Sequence, residues 1–153
     1  MAVNRPATTS AKQRAMALFR KKQFMKAGQQ FAEVCQKNPV DAEAWMLQGL
    51  CAQNLRQLDQ AIPLLKHAVT LSPASARYHN ALGNACLQRG YVDHAVASFR
   101  SALNINNDNA EAHENLNKAL LAGGYFHEAV AACRAALHVV PASAQIHELL
   151  AFA

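Results

Sequence analysis

The chain has 153 residues, 52% of them hydrophobic and 16% charged, more apolar than a disordered segment and of a length that suits one folded domain. Its formal charge of +5 is concentrated at one end: residues 1–41 hold eight Lys/Arg against two Asp/Glu (+6), and residues 42–153 hold seven against eight (−1). No apolar run approaches the roughly 18 residues that span a bilayer, and the opening MAVNRPATTSAK lacks an apolar signal core; the sequence therefore predicts no membrane span and points to the cytoplasm.

A 34-residue period organises the rest, with Ala27, Ala61, Ala95 and Ala129 one step apart and Ala42, Ala76, Ala110 and Ala144 likewise. Pro39, Pro73 and Pro141 keep the same step, with Asn107 in the remaining place. The period predicts a disordered tail at 1–7, repeats at 8–41, 42–75, 76–109 and 110–143, and a partial repeat at 144–153. A fixed step of this size predicts stacked supersecondary units rather than a single globular core.

Each repeat reads as two amphipathic helices joined by a polar or glycine-containing turn. In the first, Arg14 and Ala15 weaken the opening helix, while Ala27, Phe31 and Val34 keep register on the second. In the second repeat Trp45, Gly49 and Ala52 face Ala61, Leu65 and Ala68. The third sets His79, Leu82, Gly83 and Cys86 against Ala95, Phe99 and Ala102, and the fourth sets His113, Leu116 and Leu120 against Ala129, Cys133 and Ala136. Gly49 and Gly83 predict close backbone approach, and Gly90 and Gly124 predict left-handed helix ends. The periodic prolines stop the second helices, and Pro63 is expected inside the first turn of its helix, where a missing N–H does little harm. The partial repeat leaves Ile146, Leu149, Leu150 and Phe152 patterned for a partner stripe that the sequence does not supply.

The runs AEAWMLQGLCAQ (42–53) and ARYHNALGNACLQRGYVDHAVASFRSAL (76–103), with the prolines that follow by period, resemble the tetratricopeptide repeat family from residue 8 onward. The resemblance implies an all-α fold, a right-handed α-solenoid of four helix pairs plus the first helix of a fifth, whose first helices line a concave groove. On that face would stand Lys12, Met16 and Phe19, then Met46, Leu50 and Gln53, then Asn80, Asn84 and Leu87, and finally Glu114, Lys118 and Leu121. Apolar anchors beside amides and charges suit an extended peptide, whose backbone needs hydrogen-bond partners while its side chains seek pockets. Two subtypes of the family fit poorly. A chaperone-tail clamp would match Asn84 and Asn115 but finds Gln145 and Leu149 where cations are needed. The asparagine ladder of O-linked N-acetylglucosamine transferases is interrupted at Leu47, Ala81 and Leu149.

Catalytic signatures are missing: no phosphate loop, no GxSxG elbow, no Rossmann fingerprint, and no second histidine four residues after any His-Glu pair. The sequence predicts a non-enzymatic segment with no cofactor and no metal. His79, His113 and His147 lie one period apart; stacked helices place equivalent positions roughly 10 Å apart, too far to share an ion, so they read as packing residues. Cys35, Cys51, Cys86 and Cys133 lack paired spacing and read as buried thiols. The basic first repeat reads as a solvated end, with an acidic protein as the alternative partner; no aromatic stacking pattern accompanies it, which argues against nucleic acid. The predicted function is a protein–protein interaction scaffold holding an extended peptide or partner protein in the groove, with self-association through 144–153. The alternative is the N-terminal interaction arm of a larger sulfotransferase- or glycosyltransferase-like protein whose catalytic domain lies beyond residue 153.

Overall fold

The periodic alanines mark where helices begin. The computed structural model describes residues 5–139, 141 and 144–152, in which the helices are α1 (Arg5–Arg20), α2 (Phe24–Lys37), α3 (Ala42–Asn54), α4 (Leu58–Leu71), α5 (Ala76–Arg89), α6 (Val92–Ile105), α7 (Ala110–Ala122), α8 (Phe126–Val139) and α9 (Ala144–Phe152). Helices α3, α5, α7 and α9 start on Ala42, Ala76, Ala110 and Ala144, and the described residues contain no strand. Asp41 and Asn109, just ahead of α3 and α7, accept bonds from Ala44 N (3.0 Å) and Ala112 N (3.1 Å), satisfying donors that a helix start leaves open. Of the expected tail 1–7, α1 takes in residues 5–7, with Pro6 in its first turn where the lost N–H is harmless, and residues 1–4 lie outside the described residues. The chain divides into two compact bodies, residues 1–73 with α1–α4 and residues 74–153 with α5–α9.

The N-terminal body buries Ala27, Phe31 and Val34 of α2 and Ala61, Leu65 and Ala68 of α4, each large side chain contributing about 1.5–3 kcal/mol on leaving water. Gly49 permits the close approach of α3 to α4, since a Cβ there would stand 2.7 Å from the Leu65 side chain. Pro63 departs from expectation. It is the sixth residue of α4, beyond the free N–H groups of the first turn, so it deletes one bond of the helical ladder.

The C-terminal body repeats the device with a larger partner: a Cβ on Gly83 would stand 2.6 Å from the Phe99 ring. In the following pair the same register carries Asn117 and Cys133, both fully buried. Asn117 donates to the His113 carbonyl (3.0 Å), and its Oδ1 is buried without a partner. The partial repeat is not left bare as its pattern suggested. Ile146 is fully buried with Cys133 and Ala136, and Leu149 and Leu150 pack beside it, so α9 uses the face that docks on α8 rather than the one that awaits a following helix. The Phe152 side chain lies outside the described residues.

All four loops between paired helices close alike. The N–H groups of Gln23, Gln57, Tyr91 and Tyr125 donate to carbonyls five residues back, on Leu18, Ala52, Cys86 and Leu120, at 2.8–3.0 Å. This closure requires a left-handed residue, and Gly90 (φ 87°) and Gly124 (φ 75°) supply it as expected. Lys22 (φ 58°) and Arg56 (φ 61°) occupy the same register in the N-terminal body, at a cost of about 1–2 kcal/mol each relative to glycine.

Candidate functional site

The face assigned to ligand contact begins, in each first helix, with the register of Lys12, Met46, Asn80 and Glu114. In the N-terminal body the Lys12 ammonium on α1 reaches Asp41 and Glu43, each at 2.9 Å, where α3 starts. Burial alone would lower the Lys12 pKa, but the hydrogen bonds and charges of the two carboxylates outweigh it and raise it. In the C-terminal body Asn80 on α5 donates to Glu111 on α7 (3.0 Å) and accepts from Asn115 (3.3 Å). Glu114 on α7 accepts from the Gln145 carboxamide on α9 once that amide is turned nitrogen-first. Lys12–Glu43, Asn80–Glu111 and Glu114–Gln145 are one contact in one register. At Lys12, Asn80 and Glu114 the position read as a ligand contact ties one first helix to the next within the same body.

Burial divides the remaining candidates. Met46 is completely buried, and Gln53 and Asn80 are nearly so, so these three shape the face from beneath. Met16, Phe19, Leu50, Asn84, Leu87 and Leu121 are half-buried, and Lys118 is exposed. Phe19 lies edge-on to Phe24 with ring centres 5.4 Å apart, which fixes the end of the row in the N-terminal body. Lys118 borders a cavity of about 290 Å³ with Gln145, Glu148 and Leu149, between α7 and α9. Sequence reasoning missed this cavity's α9 wall because it treated 144–153 as an unfinished repeat.

The periodic ring position has a role beyond packing. Trp45 Nε1 donates to the Pro39 carbonyl (2.8 Å), and the Nε2 atoms of His113 and His147 face the carbonyls of Asn107 (2.8 Å) and Pro141 (3.1 Å), each six residues back. A carbonyl only accepts, so each of these histidine nitrogens carries the proton. The ring seals a loop carbonyl that the preceding helix leaves open, and its period follows from the period of the loop. The four cysteines are free and buried, and burial pushes the Cys35 and Cys51 thiols up to about 12, which keeps them protonated and unreactive at neutral pH. Among the described residues no group of three or more His, Cys, Asp or Glu is placed to hold a metal ion, and no helix is long and apolar enough to cross a membrane.

Two family models match the chain, one described as a tetratricopeptide repeat over residues 42–75 and one as a TPR repeat over residues 83–122. No curated protein matches. Among solved structures the chain is similar to MamA at 21% identity, covering 95% of this chain and 79% of that one with a TM-score of 0.86. It is also similar to YrrB, described as a TPR protein with an unusual peptide-binding site, at 15% identity, covering 93% and 73% with a TM-score of 0.79. A mutant of the Thermobaculum terrenum O-GlcNAc transferase matches at 30% identity and a TM-score of 0.72 over 78% of this chain but only 23% of its own length, so the likenesses do not favour the transferase-arm alternative. These likenesses show an all-α helical-repeat solenoid.

Proposed function

The chain belongs to the tetratricopeptide repeat family, and from that premise we propose that it is a protein-interaction scaffold that holds an extended peptide of a partner protein against the exposed face of its first helices. The observation that carries the reading is the cavity between α7 and α9, which Lys118, Gln145, Glu148 and the apolar Leu149 line. Such a mixture offers charges and amides to a peptide backbone and an apolar wall to its side chains. Asn84, Leu87 and Leu121 extend the same set on α5 and α7, and Met16, Phe19 and Leu50 form its counterpart in the N-terminal body. Because Lys12, Asn80 and Glu114 already bond to neighbouring helices, their part in recognition is to position the helices that carry the contact residues.

Peptides selected from a random library on the natural protein provide the test. Asn84→Ala with Lys118→Ala should weaken their binding at least several-fold while the helical spectrum stays unchanged; undiminished binding would place the site elsewhere. Self-association through 144–153 belongs to the same proposal, carried by Leu149 and Leu150, which stay half-exposed beside the buried Ile146. Sedimentation at rising concentration checks it, and a constant monomer mass would remove it. Four buried thiols without a disulfide suit a reducing compartment such as the cytoplasm.

A further inference from the structure

The C-terminal body has a second cavity, of about 280 Å³, lined by Leu103 and Asn104 of α6, His113 and Leu116 of α7, and Ala132 and Ala135 of α8. Leu103, His113 and Leu116 are buried at its floor, and Asn104 and Ala135 are exposed at its rim. By helical spacing His113 and Leu116 point away from the side of α7 that carries Lys118, so this cavity is separate from the one between α7 and α9.

The repeat itself says what the cavity fits. Two 34-residue steps lead from Trp45 to His113, from Leu64 to Ala132 and from His67 to Ala135. In the N-terminal body the His67 ring of α4 stands edge-on to the Trp45 ring of α3, with ring centres 4.6 Å apart and planes at 75°. In the C-terminal body the ring of the first helix is kept as His113, but the leucine and the ring of the second helix are reduced to two alanines, and both alanines line the cavity. An apolar cavity of ~150 Å³ already takes up benzene, so about 280 Å³ has room for one aromatic side chain. Arg100, the charged residue in the lining, is paired with Glu128 (2.6 Å), which leaves the cavity suited to a neutral ring rather than to an ion.

We propose that this cavity is a second docking site, which takes a phenylalanine side chain from an extended segment of a partner polypeptide. The ring lies edge-on to His113 in the place that His67 holds beside Trp45, Leu103 and Leu116 give it an apolar floor, and the exposed Asn104 carboxamide bonds to the backbone that carries it. A helix pair that supplies the ring from its own second helix needs no ligand there; one that supplies alanine offers the same contact to another chain.

The probe is a short glycine–serine peptide with one phenylalanine, blocked at both ends, compared with a twin in which cyclohexylalanine keeps the bulk and removes the aromatic ring. On protein labelled at its alanine methyls, NMR titration should show the phenylalanine ring current moving the Ala132 and Ala135 signals while the Ala27 and Ala61 signals of the N-terminal body stay in place. The phenylalanine peptide should reach saturation at a concentration about two- to tenfold lower than its twin, the preference of an aromatic pair over bulk alone. Ala135→Phe and Ala132→Leu fill the cavity from within; each should abolish binding, read at the remaining alanine, and raise the melting temperature, which separates loss of binding from loss of fold. Unmoved alanine signals, equal affinity for the two peptides, binding that survives both substitutions, or a melting temperature lowered by both would each overturn the proposal, as would tighter binding of free toluene than of the peptide.

Discussion

In the N-terminal body the loops between paired helices turn on Lys22 and Arg56, at φ 58° and 61°, followed by Gln23 and Gln57; in the C-terminal body the same positions hold Gly90 and Gly124, at φ 87° and 75°, followed by the exposed Tyr91 and Tyr125. The hydrogen bonds are the same in all four loops. The repeat therefore constrains backbone, not side chain, at this point, and one body presents cations where the other presents aromatic rings. A parallel trade runs through the helix contacts. Opposed positions hold Ala15 and Phe31, Gly49 and Leu65, Gly83 and Phe99, then Asn117 and Cys133. All eight are buried, and the last pair gives up ring volume to admit a carboxamide.

The largest expected effect tests that trade. Phe99→Ala empties the space that Gly83 opens and should lower stability by about 3–5 kcal/mol, read as a shift of the denaturant midpoint. Gly83→Ala should cost about 1–3 kcal/mol by overpacking, and Gly83→Ala with Phe99→Leu should recover part of it; full additivity would show that the two positions do not meet. Pro63→Ala restores a ladder bond in α4 and should stabilise the N-terminal body by about 1–3 kcal/mol, a rise of roughly 2–4 °C in melting temperature per kcal/mol.

The loop comparison is sharpened by exchanging its residues. Lys22→Gly and Arg56→Gly should each stabilise by about 1 kcal/mol, and Gly90→Ala and Gly124→Ala should each destabilise by a similar amount. Should all four changes be neutral, the left-handed conformations are not under strain. The smallest effect concerns the Lys12 ion pairs, which are partly exposed and worth up to about 1 kcal/mol. The folded pKa of Lys12 is raised from 10.5, so its contribution is complete below pH 10.5 and fades as the pH climbs through the raised value. Lys12→Met should remove that part of the alkaline loss, as thermal melts at stepped pH would record.

Helix count, helix starts and the tight contacts at Gly49 and Gly83 were legible because each depends on a residue and its neighbours three, four or thirty-four places away. The surroundings of the proposed contact residues were legible only in part. Spacing identified a row of side chains on each first helix, but not that Met46 lies completely buried or that Asn80 is committed to Glu111 and Asn115. The ring position was seen as a period without its purpose, since the carbonyl it seals lies in a loop whose path the sequence does not display.

By itself the sequence determined the repeat, the helix pairs, the family and the concentration of positive charge in residues 1–41, because backbone propensity, periodicity and charge are local or additive properties. The tertiary structure alone decided that Lys12, Asn80 and Glu114 bond to neighbouring helices, that α9 docks on α8, and that the Oε1 atom of Gln48 is buried without a hydrogen-bond partner. Each of these depends on which atoms of distant residues come within hydrogen-bond or van der Waals range, and a one-dimensional pattern does not contain those distances.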